Sequence, residues 1–393
     1  MKRLQQSPHD PEFVQNPYAF YAKARALAPL VFWEDYAMTA AFGYEPVSRL
    51  LKDKRFGREV PSEKQVPPPP HLHAFQEIEN HSLLEAEPPR HTRLRALILR
   101  AFTSRRVNAM TSDIQRLCHT LIDRFPSRTF DLIPAYCTQI PVLTIARLLG
   151  VPESMSPQFL AWSHAMVAMY QAGRSREIED NANQAAKEFA EYLDSYINDR
   201  RSRPGDDLIS ALIAAEEEEA RLSGSELIAT LILLLNAGHE ATVHALGNGL
   251  KQLLEFGWQA NWLKENTVAA LVEEILRFVP PLHMFARYAY EEAELFGHTF
   301  SRGDQVALVL GAANRDPDAW YDPNSFLPER RIQTHMAFGS GIHFCVGAPL
   351  ARLEMQIALQ TLFARCPTLQ LAETPIFSDT YHFHGLTGLK VSI

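Results

Sequence analysis

The sequence predicts a helix-rich α+β protein with small β-sheets, in which a single domain spans residues 1–393. Three features predict this class. Helical apolar spacing dominates from residue 90 to residue 278. Short segments suited to strands lie at residues 288–310 and 377–393. Neither an internal repeat nor a flexible linker divides the chain, so the soft expectation of two or three domains from length alone is set aside.

Composition narrows the classes of function. The chain is 46% hydrophobic and 21% charged, and 38 basic against 46 acidic residues give a formal charge of −8. A mildly acidic chain without a dense basic run argues against a nucleic-acid partner. The four cysteines form no CxxC pair, which argues against a zinc ribbon or a disulfide scaffold. The N-terminus is polar, and the longest apolar run, residues 227–235, is shorter than the roughly 20 residues that span a bilayer. We therefore expect a cytoplasmic protein without a membrane partner.

The elements follow in order along the chain. Residues 58–87 have little periodicity and predict a long loop of the kind that often serves as a lid. Ser225 is a plausible N-cap for a helix over 226–255 whose first half is apolar nearly all round, as in a buried central helix. The final segment, 377–393, predicts a hairpin. The other predicted helices cover residues 90–102, 113–125, 138–149, 157–170, 176–200, 268–278 and 349–364.

Residues 338–347, with the sequence FGSGIHFCVG, place Cys345 among three glycines before a predicted helix. Glycine permits tight turns and the close approach of backbone to a flat ligand. A thiolate at a helix N-terminus accepts backbone N–H bonds and is stabilised by the helix dipole, so we expect a lowered pKa and a ligating thiolate. The cysteine alone also allows a small buried hydrophobe, or a nucleophile assisted by His343.

The whole pattern Phe338-x-x-Gly341-x-His343-x-Cys345-x-Gly347 resembles the haem-binding loop of the cytochrome P450 family. Three further segments match family motifs in the family's order. HTRLR at 91–95 resembles the haem-propionate helix, AGHEAT at 237–242 the central oxygen-activating helix, and EILR at 274–277 the ExxR helix. From the first motif to the last, these segments extend over most of the chain, from residue 91 to residue 347. The resemblance implies the cytochrome P450 fold and haem b (iron-protoporphyrin IX) as the cofactor.

The resemblance also assigns roles to individual residues. Cys345 is expected to be the axial iron ligand, and His91, Arg95, Arg287 and His343 are expected to contact the haem propionates. Glu274 and Arg277 are expected to form a buried structural pair, with Asn314 or Arg330 as the third member. The full set of expected haem contacts is His91, Arg95, Ala237, Arg287, Phe338, Gly339, His343, Cys345 and Gly347.

The central helix departs from the family pattern. The family usually has an acid followed directly by threonine, but here Glu240 is followed by Ala241, and Thr242 lies about 100° further round the helix. The expected oxygen-activation residues are Glu240, Ala241 and Thr242, with Glu240 leading and Thr242 secondary. We expect His239 to be a packing or solvent-facing residue rather than a ligand.

The resemblance implies a monooxygenase that inserts one oxygen atom from O2 into a small hydrophobic substrate, with electrons from a separate ferredoxin and its reductase. Three alternatives stay open: a peroxide-driven P450, a haem isomerase or dehydratase, and a non-catalytic haem-binding protein. Residues 229–250 contain no arginine, which counts against the first of these. His283, His382 and His384 are candidate polar contacts to the substrate. The expected pocket residues are Leu234, Ala237, Ala241, Leu282, Phe285 and Phe383.

Overall fold

Helices form most of the protein, seen here in a computed structural model that describes residues 1–171, 173–219, 222–381 and 383–393. The helices are α1 (Pro11–Gln15), α2 (Tyr18–Leu27), α3 (Tyr44–Lys52), α4 (His73–His81), α5 (Arg90–Ala101), α6 (Ser104–Ala109), α7 (Thr111–Ile122), α8 (Gln139–Leu149), α9 (Ser156–Val167), α10 (Arg176–Ser202), α11 (Leu208–Glu219), α12 (Gly224–Phe256), α13 (Val268–Phe278), α14 (Leu310–Ala313) and α15 (Ala348–Arg365). The predicted helix-rich α+β class with small sheets is confirmed.

The strands form three small sheets. Six of them build a mixed sheet in the order β1-β2-β3-β9-β6-β4, and the others pair as β10-β11-β5 and β7-β8. The strands are β1 (Arg3–Leu4), β2 (Leu30–Trp33), β3 (Met38–Ala41), β4 (Phe56–Gly57), β5 (Phe130–Asp131), β6 (Met284–Ala289), β7 (Ala293–Leu295), β8 (His298–Phe300), β9 (Gln305–Val309), β10 (Gln370–Leu371) and β11 (Lys390–Ser392). The large sheet has its own apolar core, apart from the core that the helices share.

Helix α12 runs through the helical core and packs against α4, α8, α9, α10, α13 and α15. Its N-cap is Ser223 and not Ser225, because the Ser223 side chain accepts from the Glu226 N–H while the Glu226 carboxylate accepts from the Ser223 N–H. At Gly238 an added Cβ would lie 2.9 Å from Ile145 Cγ1, so glycine allows α8 to approach closely. Among the described helices, α12 has the length and apolar composition that could cross a membrane, but 56% of its apolar window is buried inside the protein.

Two further local predictions are wrong, besides the N-cap of α12. The segment 58–87 is not all loop, since α4 (His73–His81) forms within it and buries Phe75 and Ile78. The C-terminal segment is not a simple hairpin. Phe377 and Leu386 form an isolated bridge, but β11 pairs with β10 and β5. These pairings join segments far apart in the sequence, so local alternation could not indicate them.

Candidate functional site

The loop before α15 folds tightly around Cys345. The Cys345 N–H donates to the Phe338 carbonyl at 3.0 Å, which closes the loop on itself. Gly339 and Gly341 have φ values of 68° and 72°, in the left-handed region that favours glycine. A Cβ on Gly341 would also lie 2.5 Å from the Leu51 carbonyl oxygen. Side chains are therefore excluded at two of the three loop glycines.

Cys345 as a whole residue is accessible to solvent. Its thiol group is nevertheless surrounded by protein, and burial is the main influence on the pKa of the thiol. Burial raises the pKa of the thiol. The N–H groups of Gly347 and Ala348, and the charges of Arg95 and Arg352, oppose this rise without cancelling it. The expected net lowering of this pKa is therefore wrong for the protein alone. A bound metal cation deprotonates a coordinating thiol outright, and the two N–H groups would then stabilise the thiolate.

The loop is fixed to the helices behind it. Arg352 of α15 lies 4.6 Å from the Phe338 ring centroid and donates to Glu273 of α13 at 2.6 and 2.8 Å. His335 Nε2 lies 3.3 Å from the same carboxylate. Burial favours the neutral form of Glu273, but these two partners outweigh it and lower the pKa to about 2. Phe338 is thus held in place by a cation that is itself anchored.

Two histidines and an arginine lie together beside the loop. His343 Nε2 is 2.9 Å from Glu87 Oε1, and the His91 and His343 rings are 4.4 Å apart. Arg95 Nη2 donates to the Phe344 carbonyl at 2.7 Å. Burial, followed by His343 and Arg95, lowers the pKa of His91 to about 4. The structure thus brings together three of the four residues expected to contact the propionates.

Arg287 is the fourth, and its surroundings fit an anionic ligand. It is 2% exposed, and burial, followed by Arg58, lowers its pKa to about 10. Its Nη1 donates to the Ala286 carbonyl at 2.8 Å, and in the described part of the chain no carboxylate lies within 4.0 Å of it. A buried guanidinium normally has an anionic partner. The donor chemistry therefore suits the two carboxylates of haem.

The Glu274–Arg277 pair is buried, as expected. Arg277 donates to Glu274 through two nitrogens, both at 2.7 Å, and each side chain is 1% exposed. Arg330 Nε donates to the same carboxylate at 3.1 Å and is the third member. Asn314 contributes in another way, since its carbonyl accepts from Arg277 at 2.9 Å and its Oδ1 accepts from the Met336 N–H at 2.6 Å. The set links α13 to the chain that leads into the cysteine loop.

One face of α12 is accessible even though the helix is mostly buried. Ala237 is exposed, and Leu234, Ala241 and His244 are partly exposed. Their spacing of three, four and three residues places them on one face. Thr242 is 6% exposed and lies outside this face. The helix therefore presents small and apolar side chains to open space along one stripe.

Glu240 is buried among three histidines. Its Oε1 lies 3.1 Å from His164 Nε2 and 3.4 Å from His239 Nε2, and its Oε2 lies 3.8 Å from His244 Nε2. Burial raises the pKa of Glu240, but the histidines outweigh burial and hold it below the usual value. His239 is 3% exposed, so it is a packing residue and not a solvent-facing one. His164 is not among the site residues predicted from the sequence, because it lies on α9 and no local spacing relates it to Glu240.

The remaining expected pocket residues lie on two other elements. Leu282 and Phe383 form an isolated bridge, and the Phe383 ring centroid is 5.7 Å from that of His244. Phe285 of β6 faces the cysteine loop, since a Cβ on Gly339 would lie 3.3 Å from its ring. These contacts join the C-terminal turn, β6 and α12 around the same region.

Two of the candidate polar contacts to the substrate are structural instead. His283 is 0% exposed and its Nδ1 is 2.8 Å from the Tyr21 hydroxyl. His384 is 4% exposed, and its Nε2 is 3.1 Å from the Val14 carbonyl. Each histidine thus has one partner inside the protein, while its other ring nitrogen is buried without a hydrogen-bond partner among the described residues. His382 lies outside the described residues.

A tight cysteine loop at the start of a helix, a buried arginine without an acidic partner in the described part of the chain and a central helix with one open face are features that suit a haem-thiolate protein. The sequence profile described as Cytochrome P450 matches residues 29–255 and 266–379, so the chain belongs to the cytochrome P450 family. Members of this family are oxidoreductases that carry haem and act on small substrates together with redox partners.

Individual relatives narrow the group to bacterial P450s. The chain is 35% identical to the polyketide biosynthesis cytochrome P450 PksS of Bacillus subtilis, and the alignment covers 100% of both chains. It is 36% identical to the monooxygenase PikC of Streptomyces venezuelae, over 96% of this chain and 91% of PikC. Among solved structures, P450BioI in complex with an acyl carrier protein ligated by hexadec-9Z-enoic acid has a TM-score of 0.91 at 33% identity, covering 98% of this chain and 100% of P450BioI.

Proposed function

We propose that this P450 is a haem b monooxygenase that inserts one oxygen atom from O2 into a hydrophobic small molecule, with electrons from a separate ferredoxin-type protein. The observation that carries this proposal is the Cys345 loop near Arg287, a buried guanidinium that has no carboxylate within 4.0 Å in the described part of the chain. Bound haem would supply the iron at which dioxygen is activated, and thiolate ligation favours O–O cleavage in P450s.

The residues of the site divide into three groups in this proposal. Cys345 would ligate the iron, and Gly339, Gly347 and Phe338 would shape the loop that holds the haem. Ala237 leaves room for the macrocycle on the α12 side, because its side chain is a single methyl group. His91, Arg95, Arg287 and His343 hold the propionates, and Arg287 is the strongest candidate because it is buried without an acid. A bidentate guanidinium suits a carboxylate.

Glu240 is the proposed relay for the protons that the reaction consumes. It is the acid on α12 next to the accessible face, and its side chain is 9% exposed. Ala241 contributes no hydroxyl, and Thr242 lies off the accessible face, so neither supplies the usual alcohol beside the acid. We infer that water or a substrate hydroxyl completes the path of the proton.

Leu234, Ala237 and Ala241 form one wall of the substrate pocket in the proposal, opposite Leu282, Phe285 and Phe383. These side chains have no hydrogen-bonding groups, so binding depends on apolar contact. Such a wall is compatible with long apolar substrates. One relative of known structure is in complex with a carrier protein ligated by a C16 fatty acid.

The surface behind the thiol suits an acidic electron-transfer partner. Arg100 and Arg105 are exposed on α5 and α6, and α6 packs against α15, the helix that begins after Cys345. Ile342 and Phe344 are 43% and 37% exposed in the loop itself. Exposed apolar residues rimmed by like charges are typical of a docking surface.

The test has two stages. A spectral screen of candidate substrates, including free hexadec-9Z-enoic acid, identifies compounds that displace the water bound to iron. The best compound is then incubated with NADH, ferredoxin and reductase, or with peroxide alone. We expect an oxygenated product that carries one atom of 18O from labelled dioxygen in the first reaction. Product from peroxide alone would indicate a peroxide-driven P450, and no product in either reaction would indicate a non-catalytic haem protein.

A further inference from the structure

The geometry points to a second metal site, for Zn2+, formed by His164, His239 and Glu240. These side chains come from two helices, α9 and α12. One ligand atom from each lies within 4.8 Å of the other two. The His164 Nε2–Glu240 Oε1 and His239 Nε2–Glu240 Oε1 distances are 3.1 and 3.4 Å. The site is separate from Cys345 and uses none of the side chains assigned to the haem.

The proton on His239 can be placed from its contacts. Its Nδ1 lies 2.7 Å from the Leu235 carbonyl, which only accepts hydrogen bonds, so Nδ1 carries the hydrogen. In the neutral ring, Nε2 then has a lone pair, and this lone pair lies near a carboxylate oxygen. Histidines that bind metals almost always donate their other N–H in this way, often to a backbone carbonyl.

Hydrogen bonds do not satisfy the cluster. Both His239 Nε2 and Glu240 Oε1 are buried, and neither has a hydrogen-bond partner among the residues that the structure describes. The atoms are close enough, but their directions do not suit a shared proton along one line. A metal ion needs a different arrangement, with three lone pairs directed at a common point. A metal ion bound by these atoms would give both of them the partner that they lack.

Distances and donor types suit zinc. Tetrahedral Zn2+ has bonds of about 2.0–2.2 Å to histidine nitrogen and carboxylate oxygen, which places ligand atoms roughly 3.3–3.6 Å apart. The two measured N–O distances lie close to this separation. Two imidazoles and one carboxylate leave a fourth position open for water. The His164 side chain is 61% exposed, so an ion has a path from solvent.

Zinc bound at this site would also affect catalysis, and this consequence rests on the proposed function. A zinc ion on Glu240 would remove the acid from proton delivery and so slow turnover. His244 Nε2 lies 3.8 Å from the other Glu240 oxygen, Oε2, and would not be a ligand of the metal. The binding experiment does not measure turnover. The zinc site can therefore be refuted while the proposed function stands, and the proposed function can be refuted while the zinc site stands.

The experiment is a calorimetric titration of Zn2+ into the purified, tag-free holoenzyme after removal of metals with a chelator. His164→Gln removes one ligand at an exposed position, so the fold should tolerate it. His9→Gln is the control, because His9 is an exposed histidine whose Nδ1 is 2.9 Å from the Asp379 carboxylate. We expect one Zn2+ per chain, at least about 10-fold weaker binding in His164→Gln and no change in His9→Gln.

Equal binding by wild type and His164→Gln would overturn the proposal, and so would a wild type that binds no Zn2+. Crystals soaked with Zn2+ give a second measurement. An anomalous difference peak between His164, His239 and Glu240 is expected, whereas peaks only at other surface histidines would mean that this cluster is not the site.

Discussion

Removing the charge of Glu274 should destabilise the protein far more than removing a similar charge on the surface. The Glu274 carboxylate is 1% exposed and accepts hydrogen bonds from Arg277 at 2.7 and 2.7 Å, from the Leu327 N–H at 2.8 Å and from Arg330 at 3.1 Å. Glu274→Gln keeps the size of the side chain, but it leaves two buried guanidinium groups without a compensating charge.

Breaking a buried pair on one side costs about 3–5 kcal/mol, a large part of the roughly 5–15 kcal/mol that holds a typical domain folded. Asp180→Asn is a matched control. Asp180 pairs with Arg176 at 2.8 Å on one helix, but the two side chains are 51% and 64% exposed. An exposed pair of this kind contributes only about 0.3–0.5 kcal/mol.

Urea unfolding followed by far-UV circular dichroism gives the free energy of unfolding of each variant. We expect a loss of about 3–5 kcal/mol for Glu274→Gln and less than about 1 kcal/mol for Asp180→Asn. Equal losses in the two variants would refute the reasoning, because the burial of Glu274 would then have no energetic consequence.

Three further predictions concern the haem site, proton delivery and a buried acid. Arg95→Ala should lower the haem content of the purified protein more than Arg100→Ala, because Arg100 is exposed and an exposed charge contributes only about 0–1 kcal/mol. Equal haem content in both variants would contradict the propionate role of Arg95. Glu240→Gln should slow product formation by roughly 10²–10⁴-fold with little change in substrate affinity, and normal turnover per NADH would make Glu240 a bystander. Glu354 is 1% exposed, and burial raises its pKa in the folded protein well above its pKa in the unfolded chain. The contribution of Glu354 to stability is therefore complete at low pH. It is lost by about 1.4 kcal/mol per pH unit as pH rises above about 4.3 toward the folded pKa. Glu354→Gln should therefore gain stability relative to the wild type as pH rises above about 5, and a difference in melting temperature that does not change with pH would count against a raised pKa.

The fold could be predicted where local pattern and local physics agree. Helix α13 (Val268–Phe278) begins and ends where the apolar spacing and Pro280 indicate, and α10 differs from its prediction only at its C-terminal end. The predicted N-cap of α12, Ser225, lies two residues after the observed N-cap, Ser223. Ser223 and Ser225 are both suitable caps by residue type, and only the reciprocal bonds with Glu226 distinguish them.

Tertiary effects explain the rest of the differences in the site. The resemblance left Asn314 and Arg330 as alternatives for the third partner of Glu274, and only the fold selects Arg330. His164 reaches Glu240 from another helix, so local spacing gives no signal for that contact. The pKa of Cys345 was misjudged because the sequence reveals its helix N-terminus but not the density of protein around it.

The most direct test of the haem-thiolate assignment is the absorption spectrum of the reduced protein with carbon monoxide, recorded for the wild type, Cys345→Ser and Cys366→Ser. Cys366 is the control, because it is a buried cysteine at the far end of α15, where the Cys366 N–H donates to the Leu362 carbonyl at 2.7 Å. We expect the wild type and Cys366→Ser to absorb at the position typical of thiolate-ligated haem, and Cys345→Ser to lose that band. A thiolate band that persists in Cys345→Ser and disappears in Cys366→Ser would contradict the assignment.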